Sequence, residues 1–235
     1  MAELRRVLER LFGFPAPIRM WEEEILPARL DPYYGSWLDD LLRSSELQWF
    51  GCGRQRIAFC FASDLELFLE SSGSDAAGEI QRLLPSSLGR YSFWELADYA
   101  GLSPTEATRK IWELVWRGKL ATDSFDVLRR SAAGGFRSPP ELSGSRGLRS
   151  GRRGSRTARR GYDRWRASHP LSGSWFATNR AAESDPLEQE EVVRDRVRQL
   201  LQRYGILFRE LVARELPPLQ WFRITARKSI APCGR

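Results

Sequence analysis

A mainly α-helical α+β chain built from several small modules is predicted by three features of the sequence. Apolar residues recur at helical spacing in several separate stretches. Short aromatic and β-branched runs follow two of those stretches. A segment rich in Arg, Ser and Gly, with no periodicity, interrupts the pattern. At 235 residues the chain has room for one large domain or for two to three small ones, and its 42% hydrophobic content is enough for ordinary cores.

Residues 1–62 read as a first unit. Leu4, Val7, Leu8 and Leu11 give a helical stripe, and Met20 to Leu26 continues as a second short helix ended by Pro27. Asp31 and Pro32 start another helix, with Trp37, Leu38, Leu41 and Leu42 on its apolar face. Leu47 to Phe50 and Arg56 to Phe61 then form a hairpin across Gly51, Cys52 and Gly53. Residues 63–78, rich in Ser, Gly and Asp, read as a linker with one helical turn around Leu65 to Leu69.

The second unit, residues 79–130, carries the clearest local signals. Ser92 stands three residues before Glu95 at the head of an apolar run, the pattern of a capping box. Gly101 is placed to end that helix in the left-handed conformation, and Ser103 with Pro104 supplies the cap and first-turn proline of the next. Ala107, Ile111, Leu114 and Val115 share one face of this second helix. Thr105, Glu106, Arg109, Lys110, Glu113 and Arg117 lie on the other. Gly118 stops the helix, and Lys119 to Phe125 reads as a short half-exposed strand. Helix, turn, helix, strand is the order of a winged helix, and the helices and hairpin of the first unit have the same ending.

Residues 131–168 lack periodicity and are expected to be a disordered Arg-rich insertion. Residues 169–184 are expected to hold a returning wing strand near Ser174 to Thr178, followed by a linker. Asp185 and Pro186 open an incomplete third winged-helix unit over residues 185–221. Val192, Val193, Val197, Leu200 and Leu201 form its stripe, Tyr204 to Phe208 a short strand, and Arg209 to Leu216 a helix. Residues 222–235 offer neither a helix face nor a strand pair and read as an aberrant tail.

The net charge of +7 suggests nucleic acid until it is located along the chain. Residues 131–168 hold ten arginines against Glu141 and Asp163, and Arg223, Arg227, Lys228 and Arg235 lie near the C-terminus, which leaves the remaining chain net acidic. No run of apolar residues is long enough to span a membrane, and no signal-peptide pattern is present, so a soluble cytoplasmic protein is expected. Three cysteines without a CxxC pair, and a single histidine, His169, point away from a zinc site. No cofactor, metal or catalytic set is expected. Glu22, Glu23 and Glu24, like Asp39 and Asp40, are neighbours on helices, so they point in different directions and read as surface charges.

The candidate DNA contacts are Arg109, Lys110, Arg117 and Lys119 around the second helix of the second unit, reaching phosphates or base edges, with Arg54 and Arg56 of the first hairpin as a wing. Glu106 and Glu113 on the same helix weigh against this and leave open a solvated or protein-binding face. Trp112 and Trp116, one turn apart, suit packing at a module junction better than stacking on an unpaired base.

The phrases MWEEEILPARL, YYGSWLDDLLRSSELQWFGCGRQRIAF, IWELVWRGKLATDSFDVLR, SGSWF and RQLLQRYGILFREL occur in this order. Together they resemble the C-terminal region of the bacterial large helicase-related (Lhr) proteins over most of residues 18–221. The resemblance implies tandem winged-helix domains accompanying an ATP-dependent DNA helicase core. DNA, the helicase motor domains and self-association are the partners it implies. More remotely, the arrangement is similar to tandem winged-helix DNA glycosylases, which adds base-excision repair as an alternative role. The motor signature GxxxxGK[ST] is absent, and Gly118-Lys119-Leu120 lacks the upstream glycine and the hydroxyl such a loop needs, so ATP hydrolysis is not expected of this chain. The similarity stops at about Phe222, which suggests a truncated reading frame with an apolar face left open on the third unit.

Overall fold

Leu4 and Leu8, one helical turn apart, bury one side of α1 (Ala2–Arg10) and begin the core of the first unit. After β1 (Ala16–Pro17) the chain forms α2 (Ile18–Met20), which continues as a π-helical turn over Trp21–Ile25, then α3 (Gly35–Ser44), β2 (Leu47–Gly51) and β3 (Arg56–Phe61). The sheet order is β1-β3-β2, all antiparallel, with Ala16 opposite Ile57 and Leu47 opposite Phe61. Trp21, Trp49, Phe50 and Phe59 are fully buried, and the Trp21 indole N–H donates to the Ile57 carbonyl at 3.3 Å, so its polar atom is satisfied. The computed structural model describes residues 1–69, 74–136, 171–178 and 186–225.

The stretch expected to be a linker is largely helical where described. A 3-10 turn at Ala62–Asp64 leads into α4 (Leu65–Phe68), and α5 (Ser74–Gln81) follows. Helices this short have no stability of their own and form because tertiary contacts bury them. Phe68 stacks on Phe50, with ring centroids 6.0 Å apart, and sits against Gly13, whose backbone has φ +71 and whose missing Cβ would lie 2.2 Å from the Phe68 ring. Ser, Gly and Asp conceal these helices because the apolar residues that hold them are few.

In the second unit α6 (Phe93–Ala100) begins at Ser92 with a complete capping box and ends at Gly101 in the left-handed conformation. The second helix, α7 (Pro104–Trp116), also starts with a complete box, between Ser103 and Glu106. β4 (Leu120–Thr122) pairs antiparallel with β5 (Trp175–Ala177), and Tyr91 bridges Trp175, so the order Tyr91-β5-β4 repeats the β1-β3-β2 order of the first unit. Between β4 and β5 the sequence reading needs correction. Phe125 does not extend a strand but opens α8 (Phe125–Ala133), which takes up residues 131–133 of the expected insertion. Phe125, Val127 and Leu128 are buried, Phe125 stacks on Phe59 at 5.8 Å, and α8 packs on α2 and α3 of the first unit. The rest of the expected disordered insertion, residues 137–168, lies outside the described residues.

α9 (Pro186–Tyr204) ends at Gly205 with φ +75 and is followed by α10 (Arg209–Val212), a 3-10 turn at Pro217–Leu219 and α11 (Trp221–Thr225). α11 corrects the expectation of no helix after Pro217-Pro218. Its only buried residue is Ile224, too little for a periodic stripe to be seen in the sequence. The strand expected at Tyr204 to Phe208 is not formed. Tyr204 is the last residue of α9, and residues 206–208 have no strand partner among the described residues. α9 is tied to the first unit by Gln199, which donates to the Glu9 carbonyl at 3.0 Å, and to α4 by Arg196, which donates to the Leu67 carbonyl at 2.8 Å. A buried pair, Arg203 with Glu215 at 2.6 Å, completes the joint, with Arg203 also donating to the Phe12 carbonyl. The Tyr204 hydroxyl donates to the same Glu215 carboxylate, and burial followed by that contact raises the phenol above its ordinary pKa. One continuous apolar core runs through all three units.

Candidate nucleic-acid interface

The core face of α7 buries Ala107, Ile111, Trp112, Leu114 and Val115. Trp112 stacks on Trp116 at 5.1 Å and meets the rings of Phe136 at 4.8 Å and Trp175 at 6.0 Å. The two tryptophans are therefore packing residues that fasten α7 to the end of α8 and to β5.

The cations of α7 divide into two groups. Arg109 is exposed and makes no ion pair or hydrogen bond among the described residues. Lys110, Arg117 and Lys119 converge instead on Glu79 of α5, at 3.9, 2.9 and 3.3 Å respectively. Arg117 and Lys110 also reach Glu113, at 2.7 and 3.6 Å. Hydrogen bonds from Arg117 and then Lys119 hold the Glu79 carboxyl below the usual glutamate range. Glu79 fell at the edge of the expected linker and carried no motif, so no sequence signal marked it.

The hairpin of the first unit closes on the C-terminal end of α7. The Gly53 N–H donates to the Trp116 carbonyl at 2.9 Å, which satisfies one of the carbonyls a helix end leaves open. A Cβ at Gly51 would lie 1.8 Å from the Val115 oxygen, so only glycine permits this approach. The hairpin thereby brings the exposed Arg54 at its tip to the end of α7 that bears Arg117 and Lys119. Arg56 stands apart, because its guanidinium donates to the Pro15 carbonyl at 2.9 Å.

Two residues expected to be surface charges are part of the joint between the first two units. Arg129 of α8 forms a two-bond fork to Glu22 at 2.6 and 2.9 Å, reaches Asp39 at 2.8 Å and donates to the Gly35 carbonyl at 3.0 Å. The Tyr33 hydroxyl donates to Glu22 at 2.8 Å. Burial opposes the charged form of Arg129, but the bonds from Glu22 and Asp39 outweigh it and keep the guanidinium firmly protonated. Glu23, Glu24 and Asp40 are exposed, as expected. Burial pushes the Cys52 thiol up to about 12 and also raises Cys60, so neither supplies a thiolate at neutral pH. Among the described residues no group of His, Cys, Asp and Glu could hold a metal ion, and no helix is long and apolar enough to cross a membrane.

The described fold is mainly helical with two small antiparallel sheets and contains a winged-helix module: residues 1–62 match the family model described as large helicase-related protein, winged-helix domain. Residues 1–62 are thus a winged-helix domain of the large helicase-related (Lhr) type, and nearly the whole chain is similar to a stretch of Lhr proteins. It is 30% identical over 92% of its length to an Lhr helicase/probable uracil glycosylase of Mycolicibacterium smegmatis, and 26% identical over 91% to an Lhr helicase/uracil glycosylase of Escherichia coli. It spans 14% and 15% of the length of these two relatives.

Proposed function

We propose that this chain is a DNA-binding accessory region of an Lhr-type helicase, with no ATPase motor and no catalysis of its own. The observation that carries the reading is the bond between Gly53 and Trp116, since Arg54 follows the one and Arg117 the other in the chain. Arg109 extends the row along α7, roughly 12 Å from Arg117 at the helical rise per residue. Arg54 and Arg109 are free to meet phosphates, and Lys110, Arg117 and Lys119 do so by exchanging Glu79 for phosphate oxygens. Arg56 contributes through the field more than through direct bonding, since it is tied to Pro15. Binding of this kind is electrostatic, indifferent to sequence and steeply dependent on salt. Fluorescence anisotropy with duplex and single-stranded oligonucleotides at low salt tests it. Affinity is expected to fall linearly on a log–log plot against salt, and Arg54→Ala with Arg109→Ala to flatten the slope by roughly 0.9 for each phosphate no longer neutralised. Absence of binding to either form at low salt would refute the reading.

One relative is named as an Lhr helicase/probable uracil glycosylase and the other as an Lhr helicase/uracil glycosylase, and base excision is therefore the second reading. It needs a carboxylate or polar pair facing a flipped base. Glu22, Asp39 and Glu215 are instead held by Arg129 and Arg203. A uracil-release assay on single-stranded DNA separates the two readings. A third, a module that docks on helicase motor domains or on itself, predicts assembly that persists when Arg54 and Arg109 are neutralised.

A further inference from the structure

Lys110, Arg117 and Lys119 are gathered on one carboxylate, and that carboxylate stands on a short helix. Glu79 accepts from Arg117 at 2.9 Å and from Lys119 at 3.3 Å through one oxygen, and its other oxygen faces Lys110 at 3.9 Å. Among these three cations it stands where a phosphate group would. Its helix, α5, has eight residues, too few for a helix to be stable alone, and carries Gly78 in its interior. Among the described residues nothing lies within 4 Å of where a Gly78 Cβ would stand, so packing does not call for glycine there. Of the side chains described in α5 only Ile80 is buried, and Leu83 and Leu84, also buried, fasten the turn that follows.

The Glu79 side chain cannot withdraw by itself. A glutamate carboxyl is only a few bonds from its own Cα, and Ile80 holds the next residue in the core. While α5 stays wound the carboxylate therefore remains among the cations and repels any phosphate that joins them. Unwinding α5 as far as Ile80 lets Glu79 swing outward, and Ile80, Leu83 and Leu84 keep their places. The pairs around Glu79 are partly exposed and weak one by one, whereas cations that neutralise DNA phosphates also release condensed counterions, so at low salt the exchange runs toward DNA.

We propose, in an inference that rests on the DNA-binding reading above, that α5 is a strap that regulates the DNA site: wound, it closes Lys110, Arg117 and Lys119 to phosphate, and DNA binding unwinds it. The stability of this one helix then sets the affinity. The coupling is reciprocal, so whatever favours the wound strap weakens DNA binding by the same factor.

Gly78→Ala and Gly78→Pro test this in the full chain, because they change the winding of α5 and leave every charge in place. Anisotropy of fluorescein-labelled duplex and single-stranded oligonucleotides at low salt reads the affinity, and hydrogen exchange at the amides of residues 79–82 reads the strap. The Arg82 amide is a direct reporter, since it donates to the Gly78 carbonyl at 3.2 Å. Alanine strengthens the helix and should weaken DNA binding by up to about fourfold, whereas proline breaks it and should tighten binding beyond wild type. In the wild-type chain, DNA should speed exchange at residues 79–82. Glu79→Gln should speed it without DNA, and Glu113→Gln, an equal change of charge beside the same cations, should not. Equal affinities for wild type and both Gly78 variants, or slower exchange at residues 79–82 with DNA bound, would overturn the strap and leave DNA binding standing. No binding by any of the three chains at low salt would refute the DNA-binding reading and the strap with it.

Discussion

α3 of the first unit and α7 of the second occupy the same place in the same order of elements, and they are used in opposite ways. Asp39 of α3 turns toward α8, where it and its neighbour Glu22 are held by Arg129. The polar side of α7 stays open, with Arg109 free and three further cations held loosely around Glu79. The difference lies in where carboxylates fall. Acidic residues on α3 and α2 make a socket for an arginine, whereas a mixed face on α7 makes a surface whose charge depends on one glutamate. The first unit thus serves as a scaffold and the second presents a face, although their topology is alike.

Removing Arg129 should break this contrast most strongly. Arg129→Met leaves Glu22 and Asp39 partly buried without a counter-charge and should cost about 3 kcal/mol in a urea melt. If the two units melted unchanged, the socket would not be what joins them. Gly51→Ala acts on the other side of the same joint. The added methyl group cannot coexist with the Val115 carbonyl, so the hairpin must withdraw from α7 at a cost of about 2 kcal/mol. DNA affinity should fall with it, because Arg54 leaves the end of α7. Ser103→Ala removes the cap of α7 alone and should cost about 1 kcal/mol in the same melt, with no change in how α3 is packed.

Glu79→Gln sharpens the comparison with the smallest change in stability. It releases Lys119 and leaves Lys110 and Arg117 with Glu113 alone, so DNA affinity should rise and its salt dependence steepen, by roughly 0.9 in slope for each additional phosphate neutralised. The pH dependence has a defined sign. Glu79 has a lowered pKa in the folded chain, so its stabilisation is present above its unfolded pKa of about 4.3 and is lost as pH falls through the folded value. The difference in melting between wild type and Glu79→Gln should therefore shrink below about pH 4, from an initial value no larger than about 1 kcal/mol. A difference that grew on acidification would contradict the arrangement around Glu79.

Much of the fold was legible in residues that act on near neighbours. Ser92 and Ser103 start α6 and α7 by bonding to Glu95 and Glu106 three residues on, Gly101 ends α6 with a φ that glycine adopts without strain, and the run from Leu47 to Phe61 folds back across its glycines. The short helices α5, α8 and α11 were not legible. Each is held by a few apolar residues against a distant element, and such residues make no periodic pattern. At the candidate interface, Arg109 and Arg54, expected from their positions to contact DNA, are exposed. The neutralisation of Lys110, Arg117 and Lys119 was not foreseen, because Glu79 lies 38 residues from Arg117 and 40 from Lys119.

By itself the sequence determined where the main helices begin and end, which faces they bury and which family the chain resembles, because these follow from interactions within a turn or two of the chain. Only the tertiary structure decided which charges are spent. Arg129 meets Glu22 across 107 residues, and the Gly53 N–H caps a helix of another unit. Charges and main-chain groups so far apart act on one another only after the chain has folded, and the choice between an open cation and a buried joint is made at that stage.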